Sequence, residues 1–135
     1  MKTTNRYLIY LAYFILTIPA VILLFKGIEP KKLASLFAAS LFISCSFLIF
    51  WGEYKNNFLR RFSFWAAVFF LLVFSGPMLI NRLLHYDLDF AEIQIWGFSG
   101  PDFHKYSNYG FWVLLAAPLV DYLKAKRLLA AASSK

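Results

Sequence analysis

Both histidines and four of the seven acidic residues of the chain lie in one segment, residues 81–108. Imidazole and carboxylate groups are suitable ligands for a divalent metal ion, and the four side chains that could converge on one are His85, Asp87, Asp89 and His104. The two histidines are 19 positions apart, and no His-Glu-x-x-His motif is present. The spacing therefore gives only a weak indication of a metal site.

The acidic residues of this segment are compatible with two other interpretations. In one, Asp87, Asp89, Glu92 and Asp102 form a negative field that attracts cations to the mouth of a pore. In the other, they are the solvated rim of a loop whose apolar residues dock on helix ends or on a partner protein. Of the three interpretations, the sequence favours the solvated rim, followed by the pore mouth and then the metal site.

The segment is too long for a simple connection, since helix–helix connections usually take about 2–8 residues. Its aromatic and aliphatic residues argue against disorder, so we expect an ordered cap over residues 81–106. Tyr86, Leu88 and Phe90 alternate with acidic residues, which predicts a short extended segment. The sequence from Phe98 to Asp102 predicts a turn.

Other arrangements that carry chemistry are sparse. The sequence contains neither a Gly-x-Ser-x-Gly elbow nor a glycine-rich phosphate loop. Its single cysteine, Cys45, excludes an intrachain disulfide and a multi-cysteine metal centre. We therefore expect no catalytic residue and no cofactor.

The composition indicates which elements must position these residues. The chain is 61% hydrophobic with a mean hydropathy of +0.61, against about 45–50% apolar residues in a soluble domain. Its formal net charge is +7, but the basic residues lie between long apolar runs rather than in one stripe. This distribution favours a membrane protein and argues against nucleic-acid binding.

Four apolar runs predict an all-α, polytopic membrane protein, one domain over residues 1–135 with an extracytoplasmic cap between its third and fourth helices. The predicted spans are residues 7–25, 33–51, 62–80 and 107–123, and the first three are each close to the ~20 residues that cross a bilayer. These three contain no charged residue and no histidine.

Two carboxylates are expected at the edge of the membrane. Glu53 follows the second run and lies next to Lys55, and Asp121 can pair with Lys124 three positions later. Both are interpreted as ordinary interfacial residues.

The orientation follows from the lysine and arginine residues that flank the runs. Nine lie on the side of the two termini and five on the other. The positive-inside rule therefore places both termini in the cytoplasm, and we expect a bacterial inner membrane.

Prolines and small residues are expected to shape the helix bundle. Pro19, Pro77 and Pro118 each remove a helix hydrogen bond, which predicts three kinks. The second run carries small residues at helical spacing that allow another helix to approach closely. This predicted packing face consists of Ala34, Ser35, Ala38, Ala39, Ser40 and Ser44.

These features favour a small accessory or scaffold subunit of a larger membrane complex. Its expected partners are the lipid bilayer and either another membrane protein or a second copy of the chain. The first alternative is a homo-oligomeric channel or transporter for a small solute, ion or lipid. The second is a metal-dependent enzyme at the outer face.

Overall fold

The computed structural model describes residues 3–55 and 61–133, which are mostly helical. Three of the charges in the orientation argument, Lys2, Arg60 and Lys135, lie outside these residues. The elements are α1 (Thr3–Gly27), α2 (Lys31–Tyr54), α3 (Phe62–Phe70), a π-helical turn (Leu71–Ser75), α4 (Gly76–Leu84), β1 (Gln94–Ile95), β2 (Phe98–Ser99) and α5 (Gly100–Ser133).

Three helical segments are long and apolar enough to cross a membrane. They are Asn5–Gly27, Lys31–Tyr54 and Phe62–Leu84, of 23, 24 and 23 residues. These segments coincide with the first three predicted apolar runs and support an integral membrane protein. In a bilayer such helices associate through close packing, since lipid tails are as apolar as leucine.

The third segment is not one regular α-helix, because Pro77 has no N–H to donate and its ring crowds the preceding turn. The chain responds with the π-helical turn directly before it, in which the Gly76 N–H bonds to the Leu71 carbonyl. A Cβ atom at Gly76 would lie 2.6 Å from that carbonyl oxygen, so only glycine fits without a shift. By contrast, Pro19 and Pro118 lie inside continuous α-helices.

The last helix, α5, has 34 residues and begins at Gly100, seven residues before the predicted fourth span, which begins at residue 107. The Phe98–Asp102 segment predicted as a turn is in fact β2 followed by the first residues of this helix. Ser99 and Asp102 cap it, since the Ser99 hydroxyl donates to the Asp102 carboxylate (2.7 Å) and accepts from the Asp102 N–H (3.4 Å).

The core of the bundle joins all the long helices. Phe14 of α1 and Phe42 of α2 contact Phe111 of α5, with ring centroids 5.9 and 4.9 Å apart, and Phe70 contacts the same ring at 6.1 Å. The Asp121 carboxylate of α5 bonds to Ser63 at the start of α3. Phe103, near the start of α5, packs on Phe74 in the π-helical turn that follows α3. Thus α5 runs antiparallel to α3.

The connection between α4 and α5 forms a compact cap. Its extended part is not at Tyr86–Phe90, as the alternation predicted, but in the hairpin of β1 and β2, joined by Trp96 (φ 55°) and Gly97 (φ 82°). Ile93 and Ile95 are buried there against Phe103, whereas Tyr86 is exposed. Ile93 and Ile95 are two positions apart, so their side chains lie on the same face of this extended segment, and that face is buried. We refer to this side of the bundle as the cap end.

Candidate functional site

A cavity of about 950 Å³ lies at the cap end, between the last turns of α1, the first turns of α2, α4 and the first turns of α5. Its volume is at the upper end of the ~300–1,000 Å³ that is typical of ligand sites. Ile22 of α1 and Trp112 of α5 line it and are 51% and 59% exposed, so it is continuous with the apolar flank of the bundle.

The depth of the cavity follows from its lining on α2. Lys31 and Phe42 are 11 residues apart, which is about 16 Å along the helix. One leaflet contributes about 15 Å of hydrocarbon. The cavity is therefore about one leaflet deep, with the Phe42 and Phe111 rings at its far end.

The cavity exists because one face of α2 carries small side chains. Ser35, Ala38, Ala39 and Phe42 line it at helical spacing, and the two alanines offer only a methyl group each. The residues of the predicted packing face thus have different surroundings. Ala34, Ala38 and Ala39 are buried within the chain, whereas the Ser40 side chain is exposed and its hydroxyl donates to the Leu36 carbonyl.

Two serines of that face bind other helices. The Ser44 hydroxyl shares a hydrogen bond of 2.7 Å with the Tyr13 hydroxyl of α1. The Ser35 hydroxyl accepts from Nε of Arg82 on α4 at 3.0 Å. Both contacts consolidate this chain.

The rim of the cavity is basic. Lys26, Lys31 and Arg82 line it, and among the described residues that line it there is no aspartate or glutamate. The Lys31 ammonium is already engaged, by the exposed Glu29 carboxylate (2.6 Å) and the Phe25 carbonyl. Lys26 is exposed and forms no ion pair within residues 3–55 and 61–133. The rim therefore presents two cations without a paired carboxylate, Lys26 and Arg82.

Arg82 is the most unusual group of the rim, because its residue is only 7% exposed. Its Nη1 donates to the Leu88 carbonyl at 3.4 Å, and its guanidinium carbon lies 5.0 Å from the centre of the Phe90 ring. In the described part of the chain, no carboxylate lies within 4.0 Å of it, and Asp89 acts on it only at longer range. Burying a cation without an ion-pair partner is costly.

His104 lines the same rim, with its ring 6.3 Å from that of Phe90. The His104 imidazole therefore lies beside the cavity, and in the described part of the chain it belongs to no group of side chains that could hold a metal ion.

The predicted metal ligands are not brought together. Over residues 3–55 and 61–133, the histidine, cysteine, aspartate and glutamate side chains form no group of three that could hold a metal ion. Asp87, Asp89 and Glu92 are exposed on the cap, and Asp102 caps α5. Asp87 contributes its backbone carbonyl, which accepts from the Lys32 ammonium at 2.6 Å.

A second polar cluster lies at the opposite end of the bundle, and it contains the two carboxylates, Glu53 and Asp121, that the sequence predicts at the membrane edge. Glu53 is 0% exposed and bonds to α1, where Nη2 of Arg6 and the Tyr10 hydroxyl each donate to it at 3.3 Å. Nε of Arg6 approaches it to 2.8 Å as an ion pair, and Nε of Arg61 lies at 4.0 Å. Lys55 instead lies over the Trp51 ring.

Asp121 does not pair with Lys124 but accepts three hydrogen bonds at the start of α3. The donors are the Phe62 N–H (3.3 Å), the Ser63 N–H (2.8 Å) and the Ser63 hydroxyl (2.6 Å). It therefore supplies the cap that Arg61, at the N-cap position, does not provide. Glu53 and Asp121 are 68 positions apart, so only the tertiary fold brings them to the same end of the bundle.

No family model matches this chain, and neither does any curated protein or solved structure. At the end with Glu53, the described Arg6 and Arg61 side chains face the Glu53 carboxylate. The cap end is open, apolar inside and basic at its rim, which is the arrangement required to hold a molecule with an apolar body and an anionic head.

Proposed function

We propose that this protein binds a membrane lipid with an anionic headgroup, with the acyl chain in the cavity and the headgroup at the basic rim. The observation that carries this proposal is the cavity itself, about 950 Å³ and about one leaflet deep. Its continuity with the apolar flank beside Ile22 and Trp112 gives a lipid a lateral route of entry. Of the functions expected from the sequence, this is nearest to a channel or transporter for a lipid.

The proposal includes a topology in which α5 is a fourth crossing, both termini are cytoplasmic, and the cap faces outward from a bacterial inner membrane. Packing supports it, since α5 contacts the bundle from Phe103 to Asp121, about 27 Å of helix. The basic residues at the two termini support the orientation. The cavity then lies in the outer leaflet.

Labelling with a membrane-impermeant maleimide tests this topology. Cysteine at Asp89, on the cap, should be labelled in intact cells, and cysteine at Ala130, near the end of α5, only after permeabilisation. The native Cys45 is buried and serves as an unlabelled background. Labelling of both positions from the same side would show that α5 does not cross.

Filling the cavity tests lipid binding. Ala38→Trp places an indole where a methyl group lines the cavity, and we expect lipid that co-purifies in mild detergent to fall at least about tenfold, measured by native mass spectrometry. Ser40→Trp, on the exposed side of α2, is the matched control and should keep wild-type occupancy. Thermal unfolding verifies that both variants are folded. Equal occupancy in the two variants would exclude the cavity as the lipid site.

The accessory-subunit function stays a prediction, and the same preparation tests it. A different protein that co-purifies in fixed stoichiometry would identify the chain as a subunit. Ser40→Trp is then informative a second time, because Ser40 is the member of the predicted packing face that is exposed on the described chain. Loss of the partner in this variant alone would place the interface there.

A further inference from the structure

We propose that the lipid bound in the cavity carries a phosphomonoester headgroup, and that Arg82 is the residue that selects it. This inference rests on the proposed function, because it names the headgroup chemistry of the same site.

Arg82 has binding capacity that the protein leaves unused. A guanidinium has five N–H groups, and here one on Nε donates to Ser35 and one on Nη1 to Leu88. In residues 3–55 and 61–133, Nη2 has no hydrogen-bond acceptor, and it is not among the fully buried polar atoms. Because Arg82 lines the cavity, this free edge is available to a ligand there, and a planar pair of N–H groups suits two oxygens of one phosphate.

The number of rim cations without a paired carboxylate favours a ligand with two negative charges. Among the described residues, Arg82 and Lys26 are the two rim cations without a paired carboxylate, and Lys31 is shared with Glu29. A phosphomonoester carries about −1.5 to −2 at pH 7, whereas a phosphodiester carries one negative charge. A phosphomonoester therefore neutralises both cations, and a diester leaves about one uncompensated.

The cap limits the size of the headgroup. The Leu88 carbonyl and the Phe90 ring lie directly on the Arg82 guanidinium, and the Lys32 ammonium ties the cap to α2 through the Asp87 carbonyl. We expect a phosphate with a further polar substituent to be disfavoured beside these contacts, because a bare terminal phosphate needs less space.

The test compares three lipids on the detergent-purified full chain by native mass spectrometry. The probes are phosphatidic acid (a phosphomonoester), phosphatidylglycerol (an anionic diester) and phosphatidylcholine (a zwitterionic diester), with matched acyl chains. We expect wild type to prefer phosphatidic acid by about tenfold over phosphatidylglycerol, the size of one good charge-assisted contact. In Arg82→Gln the preference should fall below about twofold while binding of the other lipids persists.

Two further variants make the outcome specific. Arg82→Lys keeps the charge but loses the planar fork, so it should lose most of the preference, and it provides a folded alternative if Arg82→Gln unfolds. Lys105→Gln removes one positive charge at the cap end from a residue that does not line the cavity, and it should bind like wild type. Equal effects of Arg82→Gln and Lys105→Gln would overturn a specific role for Arg82.

The possible failures are distinguishable. Retention of no lipid of any kind would refute the proposed function itself. Retention of lipid without a headgroup preference would refute only the present inference. The last probe is inorganic phosphate, measured by titration calorimetry. If it binds in an Arg82-dependent manner and phosphatidic acid is not preferred, the site is one for free phosphate and the present inference is refuted. We expect inorganic phosphate at millimolar concentration not to displace phosphatidic acid.

Discussion

Replacement of Glu53 by alanine is expected to destabilise the folded protein by about 3–5 kcal/mol, the usual effect of removing one partner from a buried ion pair. Glu53 is 0% exposed, and its loss leaves the Arg6 guanidinium, itself 9% exposed, without its 2.8 Å ion pair. The Tyr10 hydroxyl loses its acceptor at the same time. Equilibrium unfolding in mixed detergent micelles measures the change.

The matched control for this prediction is Glu29→Ala. Glu29 also forms an ion pair, with Lys31 at 2.6 Å, but its side chain is 72% exposed, so the loss should be below about 1 kcal/mol. A double replacement of Arg6 and Glu53 by methionine removes both charges together and should recover most of the loss. A double variant as unstable as Glu53→Ala would contradict the ion-pair explanation.

Asp121→Ala is the second large effect, and we expect a loss of about 2–4 kcal/mol. The carboxylate accepts three hydrogen bonds at the start of α3, and bonds to a charged group contribute about 1.5–3 kcal/mol each when taken singly. The N–H of Ser63 would then lack an acceptor in a buried position.

Two comparisons separate this capping role from charge alone. Asp121→Asn keeps one acceptor oxygen and should recover part of the loss, whereas Asp87→Ala, at an exposed aspartate, should have an effect below about 0.5 kcal/mol. Hydrogen exchange measured by mass spectrometry should accelerate in the first turn of α3 for Asp121→Ala. Unchanged exchange there would contradict the capping role.

The sequence predicts the three membrane-capable helices because their signal is local. Each is an uninterrupted apolar run, and α1 and α2 end close to charged residues that mark the boundary. The apolar run does not locate the start of α5, because the first turns of this helix contain the polar residues His104, Lys105 and Asn108. The Ser99 and Asp102 cap was the local signal that could have located it.

Neither polar cluster could be predicted in the same way, because its members are distant in sequence. Arg6 and Glu53 are separated by 47 positions, and Arg82 and Ser35 by the same number. No periodicity relates such pairs, and their burial depends on where the helices cross. The cavity could not be predicted for the same reason. Small residues such as Ala38 and Ala39 allow another helix to pack closely, but the sequence does not say whether a helix or a cavity lies opposite them.

The π-helical turn between α3 and α4 fixes a direction as well as a bend. Successive residues of an α-helix differ by about 100° in azimuth, so the one additional residue that a π turn accommodates rotates everything after it by roughly that amount. Arg82 lies seven residues beyond Ser75, the end of this turn. In an unbroken α-helix its guanidinium would point about a quarter of a turn away from Ser35 and the rim of the cavity. The angular register of the rim is therefore set by Gly76 and Pro77, which do not line the cavity.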